Sequence, residues 1–181
     1  ADAPESETVT ATETPIATVP IADQRRQMAA VASRLLNGSA QACEALDWYT
    51  LAQAPDWLSL PELEFARMQR RLGAIVYAGQ IRLWIDHARQ LAAREALGTA
   101  WLHRLCSQRS ITPLPIEQFK RESIPTAADV VPCLSRAGAA LLAASLRSGP
   151  LSLATAAALG ANQTAAISPE LTQSLINKVL S

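Results

Sequence analysis

The sequence predicts an all-α fold, a single compact helical domain behind a disordered N-terminal tail. Hydrophobic residues make up 49% of the 181 residues and aromatic residues only 4%, and the apolar content is mostly alanine and leucine, which favour helix. In every long segment the apolar residues recur about every 3.6 residues, and no alternating run reaches the length of a strand. A chain of this length holds one domain with a substantial core.

Residues 1–20 are predicted to form a disordered acidic tail. This segment contains four acidic residues, no basic residue and almost no large apolar side chain, so it cannot offset the entropy cost of becoming ordered. The helical domain is then expected to extend over 21–181. Its first two helices are expected at 24–36 and 39–53, with the ring of Tyr49 facing inward.

The next helix is predicted from a capping pattern and an apolar stripe. Ser59 and Glu62 have the spacing of a capping box, in which each side chain bonds a free amide at the start of a helix. Large apolar residues then recur at i, i+3, i+7 and i+10, namely Phe65, Met68, Leu72 and Ile75. These two features together predict a long helix with one buried face.

A break near Gly79 is expected to lead into a second pair of helices. Asp86 is well placed to cap a helix over 87–97, and Gly98 is well placed to end it. A further helix is predicted to start at Thr99, because apolar residues follow it at helical spacing.

The stretch 110–132 holds four prolines and is predicted to be an irregular connection on the surface of the domain. Helices are expected to resume at 134–146 and 151–159. Ser168 precedes a proline and a glutamate, a typical helix start, and predicts a last helix that ends at Leu180.

The residue types that carry chemistry are sparse, and the sequence predicts no catalytic, metal-binding or cofactor-binding residue. His87 and His103 belong to no metal-binding motif, and the cysteines at 43, 106 and 133 form no CxxC pair. Neither a nucleophile elbow nor a phosphate-binding glycine motif is present. The chain is therefore predicted not to be an enzyme.

Charge and hydropathy argue against nucleic acid and membrane insertion. The 16 basic and 16 acidic residues cancel, so no overall field attracts a polyanion. Eight arginines lie within 62–109, but four acidic residues interrupt them and their helical phases do not converge, which favours a solvated face with local ion pairs. The longest apolar run, 137–146, is about half the ~20 residues that a membrane-spanning helix needs.

The segment between the two long predicted helices is the candidate partner-binding site. Trp84 lies there between Arg82 and Asp86, and it has two interpretations. The tryptophan either fills the core, or it forms an apolar hot spot that the flanking charges orient. On the second interpretation the partner-binding residues are Arg82, Trp84, Asp86 and Arg89.

A family resemblance makes this hypothesis more specific. It rests on short motifs within about 60–150, namely Leu72-Gly73, Arg82-x-Trp84-Ile85-Asp86, Leu91, Leu97-Gly98 and an Ala/Leu-rich helix with Arg136 and Arg147. This pattern resembles the K component of bacterial type III secretion systems, the sorting-platform accessory protein of the YscK, SctK and OrgA type.

The resemblance implies a non-enzymatic cytoplasmic adaptor at the cytosolic face of the bacterial inner membrane. Its partners would be the cytosolic domain of an inner-membrane ring protein and the C-ring-like pod built around the Q component, and through that pod the L stator and the ATPase. Two other classes stay open. A helical secretion chaperone or regulator requires a concave apolar groove and usually a dimer, whereas a nucleic-acid-binding domain requires binding to DNA that weakens steeply with salt.

Overall fold

The computed structural model describes residues 21–38, 40–107, 116, 119, 122–146, 148–161 and 166–181. In these residues the fold is all-α and compact, without a strand, which confirms the predicted fold class. The predicted acidic tail, 1–20, lies outside the described residues.

Ten α-helices and two 3-10 turns make up the described part of the chain. The helices are α1 (Ile21–Leu36), α2 (Ala40–Cys43), α3 (Trp48–Ala52), α4 (Glu62–Val76), α5 (Ala78–Ile81), α6 (His87–Leu97), α7 (Thr99–Ser107), α8 (Val130–Ser145), α9 (Pro150–Ala158) and α10 (Pro169–Leu180). The 3-10 turns are Asp56–Ser59 and Ala127–Asp129.

Helices α4 and α8 cross at the centre of the domain, and the other long helices pack around them. The predicted apolar stripe of α4 is confirmed, because Phe65, Met68, Leu72 and Ile75 are all buried. The two backbones approach closely, since a Cβ atom built on Gly73 would lie 1.9 Å from the Leu134 carbonyl oxygen. Glycine at this crossing therefore sets the distance between the helices.

Helix α8 is the central core helix. Together with the 3-10 turn before it, Ala127–Ser145 is long and apolar enough by composition to cross a membrane, and 61% of its most apolar window is buried inside the domain. The core helix of a globular domain has these same properties. The helix begins at Val130, four residues earlier than predicted, and so shortens the irregular stretch that the sequence extends to 132.

Helix caps predicted from the sequence are confirmed at two helices. The Asp86 carboxylate accepts from the backbone N–H groups of Ala88 and Arg89, and α6 spans the predicted residues. Gly98 ends that helix with a φ of 87°, a conformation that other residues rarely adopt. The Ser168 side chain accepts from the backbone N–H of Leu171 and starts α10.

The predicted helix over 39–53 is wrong. The chain forms two short helices instead, because the Asp47 carboxylate accepts from the backbone N–H of Thr50 at 2.8 Å and starts a new helix there. This second start changes the helical phase. The side chain of Tyr49, predicted to face inward, is 73% exposed.

The predicted capping box at Ser59 and Glu62 is also wrong. The Ser59 hydroxyl donates to the backbone carbonyl of Asp56 within the 3-10 turn, and Pro61 occupies the cap position of α4 without a side-chain hydrogen bond. The Glu62 carboxylate instead accepts from Arg34 of α1 at 3.3 Å. Because Glu62 forms this long-range contact, its side chain does not cap the helix as the local pattern predicts.

The proline-rich stretch does not lie wholly on the surface, contrary to the prediction. Ile116, Phe119 and Ile124 are all buried, at most 6% exposed. The Gln80 side chain fixes the stretch, because it donates to the carbonyl of Glu122 at 2.6 Å and accepts from the Ile124 backbone N–H at 3.3 Å. This irregular backbone is buried because polar side chains satisfy its hydrogen bonds.

Candidate functional site

The four predicted site residues come together in the turn between α5 and α6 and at the start of α6. Trp84 is only 8% exposed and belongs to the core. The guanidinium of Arg89 lies 5.5 Å from the centre of the Trp84 ring and also donates to the carbonyl of Ile124 at 3.2 Å. The interpretation of Trp84 as a core residue is therefore the one that the structure realises.

The charged residues on either side of Trp84 also make contacts within the domain. Arg82 donates to the carbonyl of Leu105 at 3.0 Å and so ties the turn to α7. Asp86 caps α6, and its pKa is lowered chiefly by the hydrogen bond from the backbone N–H of Arg89. Arg89 also forms an ion pair with Asp86 at 3.3 Å. These side chains hold the turn in one conformation.

The apolar surface of this turn comes from the two residues that flank the buried tryptophan. Leu83 is 80% exposed and Ile85 is 95% exposed. The backbone here is a turn in which the N–H groups of Leu83 and Trp84 donate to the carbonyls of Gln80 and Ile81, and it leaves the two flanking side chains outside the core. We call Leu83 and Ile85 the apolar tip.

A second apolar surface lies between α1 and α3. It is a groove with a volume of about 570 Å³, and its wall consists of Ile21, Gln24, Arg25, Met28, Ala29, Trp48 and Ala52. Trp48 also lines a smaller hollow of about 310 Å³ between α1 and the α2–α3 segment. We call the larger space, together with Tyr49, which follows Trp48 in the sequence, the aromatic groove.

The aromatic groove presents large side chains that a monomeric domain would ordinarily bury. Trp48 and Tyr49 are each 73% exposed, and Ile21 is 71% exposed. Trp48 and Ile21 both line the groove, and exposed apolar patches of this kind mark interaction sites. Tryptophan and tyrosine are also the residue types that contribute most to binding at protein interfaces.

Sequence reasoning misses the aromatic groove because apolar periodicity predicts one continuous helix over 39–53. The sequence does contain a signal for the second helix start. Asp47 is a residue type that favours the N-cap, and Thr50 lies three residues later, where its backbone N–H can donate to the aspartate. The Thr50 hydroxyl donates to the Asp47 carboxylate at 2.6 Å, and this contact is the largest cause that lowers the pKa of Asp47. The cap fixes the short helix α3 and thereby the direction of both exposed rings.

A partly buried polar cluster joins the described part of the proline-rich stretch to α4, α5 and α8. The Tyr77 hydroxyl donates to the Glu122 carboxylate at 2.9 Å, and Arg136 donates to the same carboxylate at 2.6 Å. Burial, followed by the contact with Glu122, raises the pKa of Tyr77 well above its ordinary value. The tyrosine is kept protonated, so its role here is that of a hydrogen-bond donor.

Metal ligands do not converge anywhere in the part of the chain that the structure describes. No group of three His, Cys, Asp or Glu side chains in that part is arranged to hold a metal ion. His87 and His103 lie on different helices, α6 and α7. The surfaces described above are suited to contact with another macromolecule through apolar side chains.

Comparison with protein-family models, with curated proteins and with solved structures gives no match for this chain.

Proposed function

We propose that this chain is a non-enzymatic adaptor that binds partner proteins through its exposed apolar surfaces. The observation that carries the proposal is the aromatic groove, where Trp48 and Tyr49 are exposed on a helix fixed by its own cap. An exposed tryptophan that lines an apolar groove, followed by an exposed tyrosine, supplies the residue types of an interface hot spot. An amphipathic helix of a partner is the kind of segment that such a groove accepts.

An adaptor must hold two partners, and two separate apolar surfaces support this role. The aromatic groove is formed by α1 and α3, whereas the apolar tip lies between α5 and α6. In this proposal the predicted site residues Arg82, Trp84, Asp86 and Arg89 act indirectly, because they hold Leu83 and Ile85 outward.

The resemblance to the K component supplies the setting of the proposal. The chain would act in the cytoplasm, at the inner membrane, and would link the cytosolic domain of a ring protein to the Q component of a type III secretion sorting platform. The motifs of the resemblance include Arg82-x-Trp84-Ile85-Asp86, which is the turn that presents the apolar tip. Contact with the L stator and the ATPase would be indirect, through the Q component.

Binding measurements with purified partners test the proposal. The full chain is titrated with the cytosolic domain of the ring protein and, separately, with the Q component. A double variant, Trp48→Ala with Tyr49→Ala, should lose at least about tenfold in affinity for one of them. It should keep its melting temperature, since both side chains are mostly exposed.

The matched control for this experiment is Leu63→Ala, which removes an apolar side chain that is 66% exposed on α4. The control should bind both partners normally. The variants Leu83→Ala and Ile85→Ala should weaken binding to the partner that the groove variant spares. Normal binding of both partners by all of these variants would contradict the proposal.

The aromatic groove also favours one alternative, a helical secretion chaperone. Such a chaperone holds a segment of a secreted protein in a concave apolar groove, and the volume of about 570 Å³ is sufficient for apolar side chains of that segment. Light scattering separates the two functions. A dimer that co-purifies with a secreted protein supports the chaperone, whereas a chain that binds the ring protein and the Q component at once supports the adaptor.

A further inference from the structure

Three arginines form a basic cluster where Arg71 of α4 reaches the junction of α6 and α7. Arg71 donates through Nε to the carbonyl of Leu97 at 3.1 Å and lies 5.8 Å from the centre of the Trp101 ring. Arg67 lies one turn before it on α4, and Arg104 lies one turn after Trp101 on α7. We call Arg67, Arg71 and Arg104 the arginine cluster.

The arginine cluster has no acidic partner in the described part of the chain. The ion pairs found there involve other arginines, namely Arg26, Arg34, Arg89 and Arg136. Partial burial lowers the pKa of Arg71, and the positive charges of Arg67 and Arg104 lower it further. Like charges held close together at a surface create a local site for an anionic group.

The chemistry of this surface favours carboxylates of a polypeptide over nucleic acid. The formal net charge of the chain is zero, so no overall positive field draws a polyanion to the cluster. The aromatic ring beside it, Trp101, is 4% exposed and offers no platform on which a base could stack. Arginine pairs well with carboxylates because its planar fork donates two parallel hydrogen bonds.

The acidic residues needed to complement this cluster are present in the same chain. The segment 1–20 contains Asp2, Glu5, Glu7 and Glu13 and no lysine or arginine. It joins the domain at Ile21, and the other end of α1 contacts the start of α4 through Arg34 and Glu62. The helix rises place Arg67 within roughly 40 Å of Ile21, whereas 20 extended residues span up to roughly 66 Å.

We propose that the arginine cluster is a docking site for carboxylate-rich polypeptide and that the acidic segment 1–20 of this chain occupies it. The contact consists of exposed ion pairs, so it is reversible and sensitive to salt. Its consequence is competition, because an acidic segment of another protein reaches the cluster only when 1–20 leaves it. This inference concerns a surface separate from the aromatic groove and the apolar tip.

The test uses the full chain and, as probe, a fluorescent synthetic peptide with the sequence of residues 1–20. Anisotropy at low salt measures the affinity of the peptide for the unmodified chain and for a tail-neutral variant, which carries Asp2→Asn, Glu5→Gln, Glu7→Gln and Glu13→Gln. The tail-neutral variant should bind the peptide roughly fivefold tighter, because its cluster is free. Added salt should weaken this binding.

Two further variants locate the binding site. Arg67→Gln with Arg104→Gln, added to the tail-neutral chain, should abolish the gain in affinity. Arg26→Gln, the control, removes an exposed helical arginine on α1 and should keep that gain. All of these chains should share one melting temperature, which excludes unfolding as the cause of lost binding.

Three results would overturn the inference. Equal peptide affinity for the unmodified and tail-neutral chains would show that 1–20 does not occupy the cluster. Equal affinity for the cluster variant and the Arg26→Gln control would place the peptide elsewhere. Tighter binding of a single-stranded DNA oligonucleotide than of the peptide, again dependent on Arg67 and Arg104, would assign the cluster to nucleic acid.

Discussion

Replacement of Gly73 by alanine tests the central helix crossing most directly. A Cβ atom at this position would lie 1.9 Å from the carbonyl oxygen of Leu134 and 2.7 Å from its carbonyl carbon. Both contacts are with backbone, which a rotamer change cannot relieve. The neighbouring side chains, Leu72 and Leu134, are completely buried, so α4 and α8 must move apart to accept the methyl group.

The expected cost follows from the size of that movement. Ordinary contact at a Cβ atom begins near 3.4 Å, so the helices must separate by roughly 1.5 Å, and even a 0.5–1 Å gap forfeits about a quarter to a half of the dispersion energy across it. Overpacking of a core typically costs about 1–3 kcal/mol, occasionally more, while alanine recovers about 1 kcal/mol of helix propensity. Because the clash is between two backbones at the central helix crossing, we expect a gross cost above the typical range, about 3–5 kcal/mol, and therefore a net loss of about 2–4 kcal/mol.

Thermal denaturation followed by circular dichroism measures this loss. For a chain of this length the melting temperature should fall by roughly 5–15 °C. Gly160→Ala is the matched control, because Gly160 has a φ of 61° and no atom of the described residues lies within 4 Å of the place where its new methyl group would stand. Only the cost of the left-handed backbone, about 1 kcal/mol, remains there. A Gly73→Ala protein as stable as the unmodified chain would refute the close crossing.

Three further predictions concern other contacts. Trp84→Ala should cost about 3–5 kcal/mol of stability, since the ring is buried, and chemical denaturation measures it; a change near zero would place the ring at the surface. Burial raises the pKa of Tyr77 above its ordinary value of 10.0, so the unfolded chain deprotonates first and stability should fall as the pH rises above about 10. Tyr77→Phe should remove that dependence in melting curves. Asp86→Ala should lower the melting temperature by a few degrees through loss of the α6 cap, whereas Asp86→Asn should largely preserve it.

Where the structure follows local rules, the sequence is sufficient to predict it. Helix α6 depends on Asp86 at its start and Gly98 at its end, and both residues act within four positions of the groups they bond. The stripe of α4 is predictable for a similar reason, because a period of 3.6 residues identifies the buried face without knowledge of the partner helix.

Long-range contacts explain the predictions that fail. Glu62 bonds Arg34, 28 residues away, instead of completing a capping box. The proline-rich stretch is partly buried because Gln80 satisfies its backbone more than 40 residues away. Nothing in the local sequence distinguishes these polar side chains from solvated ones, so periodicity and turn propensity cannot predict them.

The aromatic groove and the apolar tip each lie next to an aspartate that caps the start of a helix. At Asp47 a cap begins α3 out of phase with the preceding helix, and Trp48 is left outside. At Asp86 a cap begins α6 directly after a hydrogen-bonded turn, and here Trp84 enters the core while Ile85 faces solvent. In both places the aspartate fixes the direction of a neighbouring apolar side chain through the backbone that it caps. Loss of either cap should therefore weaken partner binding more than it weakens the fold, because the core stripes of α4 and α8 do not depend on it.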